Sequence, residues 1–222
     1  MDTIEAIRVR HSVRQYSDRP IPEDVRAELE RIISERNQED GISHVQIFYG
    51  DPACFDSFIA HYGKFDGVQN YIAMVANKQE GAMERLGYIG EELVLTAQKM
   101  GLNTCWVAGT FNRRACKAKL GPNQKLYAVI AIGYGMTRGK ASKSKDFDAV
   151  SKTSRQEAAD WYVRGVEAAL LAPTAMNQQK FVFEQTGETA RLSTKFGFYT
   201  KLDKGIVRYH FEAASGHEVI LV

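Results

Sequence analysis

The chain has little of several features that mark specialised classes of protein. Its 222 residues include only three cysteines, Cys54, Cys105 and Cys116, and no two of them have the C-x-x-C spacing of many zinc and redox sites. Because three cysteines cannot all pair, we expect reduced thiols with mainly structural roles. The composition therefore argues against a disulfide framework and against a zinc site.

The sequence also lacks an excess of charge and a long apolar run. Its 29 basic and 27 acidic residues leave a formal charge of +2, which gives no reason to expect a nucleic-acid partner. No stretch approaches the ~18 apolar residues of a membrane span. Residues 1–5 have neither the basic flank nor the apolar core of a signal peptide. We therefore expect a cytoplasmic protein that crosses no membrane, with a small anionic ligand still compatible with its charge.

What is present is the periodic pattern of an α+β chain. Asp2 and Glu5 have capping-box spacing and predict a helix that runs into Arg10. Apolar spacing predicts longer helices from Pro22 into residues 35–40 and over 84–100. Strands rich in β-branched and aromatic residues are predicted at 45–49, 71–76, 104–107 and 126–132. The last of these is almost wholly apolar, so we expect it to be central and covered on both faces.

The order of elements then starts again after a polar, lysine-rich loop at 138–148. Ser154 and Glu157 have the spacing of a second capping box, which predicts a helix from there to about Leu171. A strand, a helix and a strand follow, predicted at 181–183, 205–214 and 218–222. This order mirrors the first half and suggests an internal duplication. Because ordinary α+β chains also contain such successions, the pattern alone leaves both explanations open.

Two short segments carry residue types suited to a ligand. Arg10-His11-Ser12-Val13-Arg14 places two guanidinium groups and a hydroxyl close together, and such a set binds a phosphate or a developing negative charge. Residues 172–179 are Ala-Pro-Thr-Ala-Met-Asn-Gln-Gln, and loops of this type offer N–H and amide groups to a planar heterocycle. On spacing alone, a solvated basic turn and a simple helix-stop loop explain the two segments better.

Taken together, the two segments resemble the nitroreductase family of FMN-dependent oxidoreductases. Members have an Arg-Arg/His-Ser-x-Arg/Lys segment followed by a Pro-x-Pro helix start, which match residues 10–14 and 20–22. Their Ala-Pro-Ser-x-x-Asn-x-Gln-Pro-Trp loop is similar to 172–181, and their Gly-Leu-Gly-x-x-Trp-Ile-Gly-Gly segment is similar to 101–109. The resemblance covers most of the chain. It implies a three-layer α+β fold in which helices flank a central, mainly antiparallel sheet.

The amide loop stands in an unusual place for this family. It is missing after the first long helix, where residues 34–38 are Ser-Glu-Arg-Asn-Gln, and it follows the equivalent helix of the second half. In the family, the flavin lies at a homodimer interface, and each subunit supplies one of the two segments. We therefore expect one FMN between a first half, 1–145, and a truncated second half, 146–222. Such a pseudo-dimer is expected to be a monomer with an internal pseudo-twofold axis, although a homodimer stays open.

The resemblance also assigns expected cofactor contacts to individual positions. The residues expected near the phosphate and the ribityl chain are Arg10, His11 and Ser12. Arg14 is expected at the N1/O2 edge of the ring, and a backbone N–H of Ala108 or Gly109 near N5. The residues expected along the other flank of the ring are Pro173, Thr174, Ala175 and Asn177. A basic pair that binds phosphate in family members has its nearest candidates here in Arg138 and Lys140, ahead of Lys143.

The implied activity is hydride transfer from NAD(P)H to flavin N5, then reduction of a nitroaromatic or quinone by a ping-pong mechanism. Arg14 would stabilise the charge that accumulates at the N1/C2=O edge, and neither a protein nucleophile nor a metal is implied. The alternative is a flavin-binding protein without turnover that serves storage or sensing. Lys180-Phe181 replaces the family's Pro-Trp and could place a positive charge beside the site. His210 lies among apolar helix positions, so we expect a core histidine rather than a catalytic base.

Overall fold

The computed structural model describes residues 1–56 and 63–222, which form two compact units. The four-stranded unit consists of Arg10–Ala82 and Leu93–Lys140. The three-stranded unit consists of Met1–Val9, Met83–Glu92 and Ala141–Val222. The second half expected from the sequence, 146–222, lies within the three-stranded unit, which also takes two segments from earlier in the chain. The duplication itself stays a prediction.

The centre of the four-stranded unit is an antiparallel sheet in the order β1-β2-β4-β3. Its strands are β1 (Gln46–Phe48), β2 (Asn70–Asn77), β3 (Asn103–Val107) and β4 (Gln124–Gly133). Strand β4 lies between β2 and β3, and residues 128–133 are all buried. Because a strand covered on both faces has no polar face, β4 shows an almost continuous apolar run. The four strands predicted for this half are confirmed.

Helix α2 (Glu23–Asp40) belongs to the same unit and begins directly after Pro22. The fixed φ of proline suits a helix start, and Gly41 ends the helix in the left-handed region with a φ of 63°. Leu29, Ile32 and Ile33 are buried on one face of the helix. The predicted extent into residues 35–40 is therefore confirmed. The adjoining helix α3 (Ala82–Lys99) contributes its residues from Leu93 onward to this unit.

The three-stranded unit contains a smaller sheet in the order β5-β6-β7. Its strands are β5 (Phe181–Thr186), β6 (Thr189–Thr194) and β7 (Val219–Leu221), with β5–β6 antiparallel and β6–β7 parallel. Its helices are α1 (Thr3–Val9), the Met83–Glu92 part of α3, α4 (Asp160–Leu170) and α5 (Thr200–Ser215). Phe211 on α5 joins α4 to the sheet, since its ring stacks on Phe183 at 4.6 Å and contacts Tyr162 edge-on at 5.8 Å.

Three boundaries in this unit differ from the sequence predictions. Helix α4 begins at Asp160 and not behind Ser154, whose hydroxyl bonds the Glu157 carboxylate at 2.7 Å and so forms a local turn instead of capping a backbone N–H. Helix α5 begins at Thr200, before the predicted 205. Strand β6 was missed, although Ala190 and Leu192 alternate with exposed residues in the period-two pattern of a half-buried strand. By contrast, Asp2 does cap α1, since its carboxylate accepts the Glu5 N–H at 2.8 Å.

Within the three-stranded unit, α3 and α5 approach each other backbone to backbone at two glycines. A Cβ added at Gly87 would overlap the carbonyl oxygen of Leu202, and one added at Gly205 would overlap that of Glu84 and lie 2.7 Å from the Tyr88 nitrogen. Rigid backbone cannot move aside as a flexible side chain can. The crossing therefore requires glycine on both helices. None of the helices in residues 1–56 and 63–222 has the length and apolar content of a membrane-spanning segment.

We expect Gly205→Ala to lower the free energy of unfolding by about 1–3 kcal/mol, because the added methyl group separates the two helices. Ala213→Gly on the exposed face of the same helix is the matched control. It measures helix propensity alone, and we expect it to cost about 1 kcal/mol. Urea denaturation followed by circular dichroism gives both values. A Gly205→Ala protein as stable as the wild type would contradict the close crossing.

Candidate functional site

The Arg10–Arg14 segment runs along the edge of the four-stranded sheet. Ser12 forms a parallel bridge with Thr104 on β3, and the Val13 N–H donates to the Thr104 carbonyl at 3.0 Å. Val13 itself is a core residue, 1% exposed, whereas Arg14 next to it is exposed. Arg10 is buried at 8% exposure. The two arginines are therefore fixed to the sheet by the residues between them, and only Arg14 reaches far into solvent.

The basic loop of residues 138–140 lies directly against this segment. Gly139 has a φ of +74°, and a Cβ added there would lie 2.7 Å from the His11 Cβ and 3.0 Å from the Ser12 carbonyl oxygen. Arg138 and Lys140, on either side of Gly139, are both exposed. The structure thus brings together two groups of residues that are far apart in the sequence. The family resemblance predicts phosphate contacts from both groups.

Residues next to the basic loop extend this contact along the chain. Tyr16 forms an antiparallel bridge with Gly135, and the Met136 N–H donates to the Gln15 carbonyl at 2.9 Å. The Tyr16 hydroxyl, in turn, donates to the Val13 carbonyl at 2.7 Å. Residues 12–16 are consequently hydrogen-bonded both to the edge strand and to the chain that leaves β4.

The turn after β3 contains Ala108 and Gly109, and it is held by an arginine that the sequence did not single out. The Arg113 guanidinium donates to the Ala108 carbonyl at 3.0 Å and to the Leu126 and Tyr127 carbonyls of β4 at 2.5 and 3.2 Å. Gly109 is exposed and Ala108 half-buried. Nothing in the sequence distinguishes Arg113 from its neighbour Arg114, because its role depends on carbonyl groups from another strand.

A buried thiol lies beside the arginine segment. Burial raises the pKa of Cys105 and outweighs the opposing effects of the Arg14 charge, the Ser12 hydrogen bond and the Arg10 charge. The thiol therefore stays protonated and unreactive at neutral pH. All three cysteines are free, with Cys54 and Cys105 buried and Cys116 half-buried. Cys54 and Cys105 belong to the core of the four-stranded unit, which fits the structural role expected of them.

The amide loop lies in the three-stranded unit, directly after α4. Residues Ala175–Asn177 form one 3₁₀ turn, and Met176, Asn177 and Gln179 have φ values of 51°, 52° and 43°. Residues other than glycine adopt this left-handed region only when surrounding contacts hold them there. Pro173, Thr174 and Ala175 are half-buried, whereas Asn177 is exposed and donates from its amide to the Lys143 carbonyl at 2.7 Å.

The loop uses some of its own amides to maintain this conformation. Gln179 is 2% exposed, and its Nε2 donates to the Leu170 carbonyl at 2.9 Å while its Oε1 accepts the Lys145 N–H at 2.7 Å. The Lys145 ammonium also donates to the carbonyls of Gln178 and Gln179, both at 2.8 Å. Gln179 is therefore a structural residue. Its residue type alone would also suit a ligand contact, but its amide group is used within the protein.

A buried carboxylate on α5 holds the other side of the loop. Asp203 is 4% exposed, and its two oxygens accept the Ala175 N–H and the Gln178 amide, both at 2.9 Å. Burial raises the pKa of Asp203 to about 6, and these two hydrogen bonds only partly oppose the shift. No pattern in the sequence indicated this residue. An acidic side chain in the first turn of a helix is ordinary, and only the fold shows that it is buried against the loop.

The departure of Lys180-Phe181 from the family pattern has a structural explanation. The Lys180 ammonium donates to the Phe196 carbonyl at 2.8 Å, which ties the end of the amide loop to the chain after β6. Phe181 is a core residue, 2% exposed, whose ring contacts Phe183 edge-on at 5.7 Å. Phe111, in the four-stranded unit, is also buried. Both phenylalanines therefore serve core packing.

The structure confirms His210 as a core histidine and supplies the partner that the sequence did not reveal. Its Nε2 lies 2.8 Å from the Glu91 Oε1 on α3, its Nδ1 lies 3.0 Å from the Ala168 carbonyl oxygen, and the His210 and Glu91 side chains are both fully buried. Within the described ranges 1–56 and 63–222, no three His, Cys, Asp or Glu side chains are placed to hold a metal ion.

Comparison with known proteins shows the family to which the chain belongs. Residues 2–215 match the model of a family described as "Putative TM nitroreductase". The chain belongs to this nitroreductase family. No curated protein sequence matched it.

Solved structures agree with this assignment. A protein from Thermotoga maritima MSB8 described as a putative nitroreductase is 25% identical, with a TM-score of 0.73, over 98% of this chain and 87% of its own. A protein from Desulfovibrio desulfuricans described as a putative nitroreductase, solved in complex with FMN, is 19% identical with a TM-score of 0.54, over 68% of this chain and 95% of its own. A Parabacteroides distasonis protein described as a putative NADH dehydrogenase/NAD(P)H nitroreductase is 20% identical, with a TM-score of 0.52, over 67% of this chain and 95% of its own. These likenesses confirm the expected α+β fold, in which helices flank a mainly antiparallel sheet.

We expect Asp203→Asn to gain stability relative to the wild type as the pH rises from 4 to 7. In the wild type, the pKa of Asp203 is about 6 in the folded state, whereas the usual value is 3.8. As the pH rises between these values, the unfolded chain releases the proton before the folded protein does, so the wild type loses stability. The relative gain should be about 1–3 kcal/mol, which urea denaturation at pH 4.5 and 7.5 measures. The exposed acid Glu35, changed to Gln, is the control. A pH-independent difference would show that Asp203 does not titrate in this window.

Proposed function

We propose that this chain is an FMN-dependent oxidoreductase that carries electrons from NAD(P)H to a nitroaromatic or quinone acceptor. The single observation that carries the proposal is the contact of Gly139 with His11 and Ser12. Through this contact, the basic loop lies against the arginine segment, and the chain that carries both belongs to the nitroreductase family. The FMN complex of the Desulfovibrio relative and the name of the Parabacteroides relative support the choice of cofactor and reductant.

The residues of the four-stranded unit fit a cofactor with a phosphate group. The Ser12 hydroxyl and the Arg10 guanidinium belong to a segment fixed along β3, and the exposed cations Arg138 and Lys140 flank the glycine that packs against it. Cations and a hydroxyl that are carried by a fixed backbone can bind a phosphate through charge-assisted hydrogen bonds. We assign Arg10, His11 and Ser12 to the phosphate and ribityl chain, with Arg138 and Lys140 as further phosphate contacts.

Arg14 is the residue that we assign to charge stabilisation. The neighbouring residue, Val13, is in the core. The Arg14 carbonyl accepts the Asp66 N–H at 3.0 Å, and the Arg14 guanidinium lies 5.8 Å from the centre of the Phe65 ring. The backbone of Arg14 is therefore fixed while its charge stays available. A cation held in this way stabilises negative charge that develops at the N1/O2 edge of a flavin without having to reorganise.

The remaining assignments come from the family resemblance. Pro173, Thr174, Ala175 and Asn177 are proposed to contact the flank of the flavin ring, and the turn at Ala108 and Gly109 to offer an N–H near N5. The ties to Asp203 and Gln179 give the first group a fixed backbone, and Arg113 does so for the turn. When bound, FMN supplies the redox chemistry, because it accepts a hydride from NAD(P)H and reduces the acceptor in a second half-reaction.

We expect purified protein to bind about one FMN per chain, since each half of the sequence keeps only one of the two family segments. Titration of the FMN-depleted protein, followed by the quenching of flavin fluorescence, gives the stoichiometry, and sedimentation gives the number of chains. Oxidation of NADPH with menadione as acceptor tests turnover. Protein that binds FMN without turnover would support the storage or sensing alternative. Protein that takes up no FMN would contradict both.

We expect Arg14→Ala to slow flavin reduction by NADPH about tenfold or more while weakening FMN binding much less, because the cation acts on charge that develops during the reaction. Arg10→Ala should instead weaken FMN binding about tenfold or more, since it removes a charge-assisted bond to the cofactor. Arg31→Ala on α2, which removes an exposed arginine paired with Glu28 and Glu35, is the matched control.

Stopped-flow absorbance at the flavin maximum separates the two effects, because it gives the reduction rate at saturating NADPH and the bound fraction before mixing. Thermal denaturation of Arg10→Ala distinguishes lost affinity from lost folding. Variants that retain both the flavin and the full reduction rate would show that this residue assignment is wrong.

A further inference from the structure

A five-residue stretch of the three-stranded unit, residues 195–199, presents two aromatic rings to solvent, and we call it the aromatic segment. Phe196 and Phe198 are 98% and 71% exposed, and Tyr199 beside them is 36% exposed. Met176, in the amide loop to which this segment is bonded, is 79% exposed. Single exposed apolar side chains are common on protein surfaces, but a group of large ones marks a surface with a binding role.

The backbone of the aromatic segment is held by the end of the amide loop. The Lys180 ammonium donates to the Phe196 carbonyl at 2.8 Å, and the Gln178 amide donates to the Phe198 carbonyl at 2.6 Å. Between the rings, a Cβ added at Gly197 would lie 2.6 Å from the Gln178 Oε1, so the segment packs closely on the loop. The two exposed rings are therefore carried by a fixed backbone.

The two stretches of chain that carry these apolar side chains contain positive charge only. Residues 168–183 include the amide loop and residues 189–202 the aromatic segment, and neither range has an aspartate or a glutamate. The cations in these ranges are Lys180, Arg191, Lys195 and Lys201. Lys195 and Lys201, on either side of the rings in the sequence, are both exposed. Because the whole chain has a formal charge of only +2, this is a local concentration of positive charge.

Two more lysines lie against the amide loop. The Lys143 carbonyl accepts the Asn177 amide at 2.7 Å, and the Lys145 ammonium donates to the Gln178 carbonyl at 2.8 Å. Carbonyl groups carry no net charge, so hydrogen bonds to them do not neutralise Lys145, and the same holds for the bond from Lys180 to the aromatic segment. Exposed apolar side chains and positive charge therefore occur together in this part of the unit.

We propose that the aromatic segment binds a lipid surface that carries negative charge. Phe196 and Phe198 enter the boundary between headgroups and acyl chains, where aromatic side chains are favoured, while Lys195 and Lys201 contact the anionic headgroups. The long apolar stem of lysine lets its charge stay at the headgroups beside an inserted ring. Such a surface rests on a membrane and does not span it.

Two features of the apolar side chains favour lipid over the other polyanion that basic and aromatic surfaces bind, a single-stranded nucleic acid. Nucleic acids use aromatic rings as platforms on which bases stack, and Met176 offers no ring. Phe196, at 98% exposure, has almost no contact with its own chain and can enter a lipid layer to its full depth. The inference does not depend on the proposed function, since it involves neither flavin nor turnover.

Co-sedimentation with lipid vesicles tests the proposal. We expect binding to vesicles that mix phosphatidylcholine with phosphatidylglycerol, release by high salt, and little binding to phosphatidylcholine alone. Phe196→Ala and Phe198→Ala should each weaken binding about tenfold, because each removes apolar area buried in lipid. Lys195→Ala should weaken it about fivefold. The matched controls, Ile220→Ala on β7 and Lys78→Ala in the four-stranded unit, remove exposed side chains of the same kinds and should leave binding unchanged.

A tryptophan in place of one ring reports insertion directly. The fluorescence of Phe198→Trp should shift to shorter wavelength when anionic vesicles are added, because the indole leaves water. Ile220→Trp, at another exposed apolar position of the same unit, should show no shift. Thermal denaturation of each variant confirms that it folds, so that lost binding is not lost structure.

Several results would overturn the inference. Wild-type protein that binds neither kind of vesicle would do so, as would binding that both phenylalanine variants leave unchanged. Binding without the emission shift would show charge attraction alone and no insertion. If vesicles are not bound but a single-stranded oligonucleotide is, the surface serves nucleic acid. If vesicles are not bound and the phenylalanine variants dissociate a dimer in sedimentation, the surface joins two copies of the chain. None of these results bears on FMN binding, so the proposed function stands or fails separately.

Discussion

The attachment of residues 12–16 to the edge of the four-stranded sheet is the constraint on which the candidate site depends. The Val13 N–H bonds the Thr104 carbonyl of β3, and the Val13 side chain is buried in the core of the unit. A residue anchored both by its backbone and by its side chain fixes its neighbours in space. The backbones of Ser12 and Arg14 are fixed by Val13 between them, and their own polar side chains are not required for this.

The same constraint explains why the basic loop lies against the arginine segment of the candidate site. The chain that leaves β4 bonds residues 15 and 16, and three residues later Gly139 lies close to the His11 Cβ and the Ser12 carbonyl oxygen. Only a residue without a Cβ fits this approach, and its positive φ also favours glycine. The cations on either side of Gly139 are consequently delivered to the arginine segment by backbone geometry. Because these cations repel one another, backbone contacts and not electrostatic attraction bring them together.

The amide loop of the three-stranded unit is organised by a different principle. Three of its residues adopt left-handed backbone conformations, and the loop keeps them because buried polar groups compensate for the strain. Asp203 and Gln179 supply these groups, one from α5 and one from the loop itself. Because buried polar groups must find partners, the loop has little freedom to adopt another shape. Gln178 and Lys180 then extend this rigidity to the aromatic segment at 195–199.

Local pattern and residue type in the sequence were enough to predict the family, the central position of β4, the extent of α2 and the buried nature of His210. These features follow from apolar periodicity and from short motifs, which are properties of neighbouring residues. The sequence did not predict the start of α4, because Ser154 and Glu157 have the spacing of a capping box but bond each other. Asp203, Arg113 and Glu91 were missed because each owes its role to partners from distant segments. Only the tertiary structure decides such roles, since burial and hydrogen-bond partners are set by where the chain returns and not by the residues beside it.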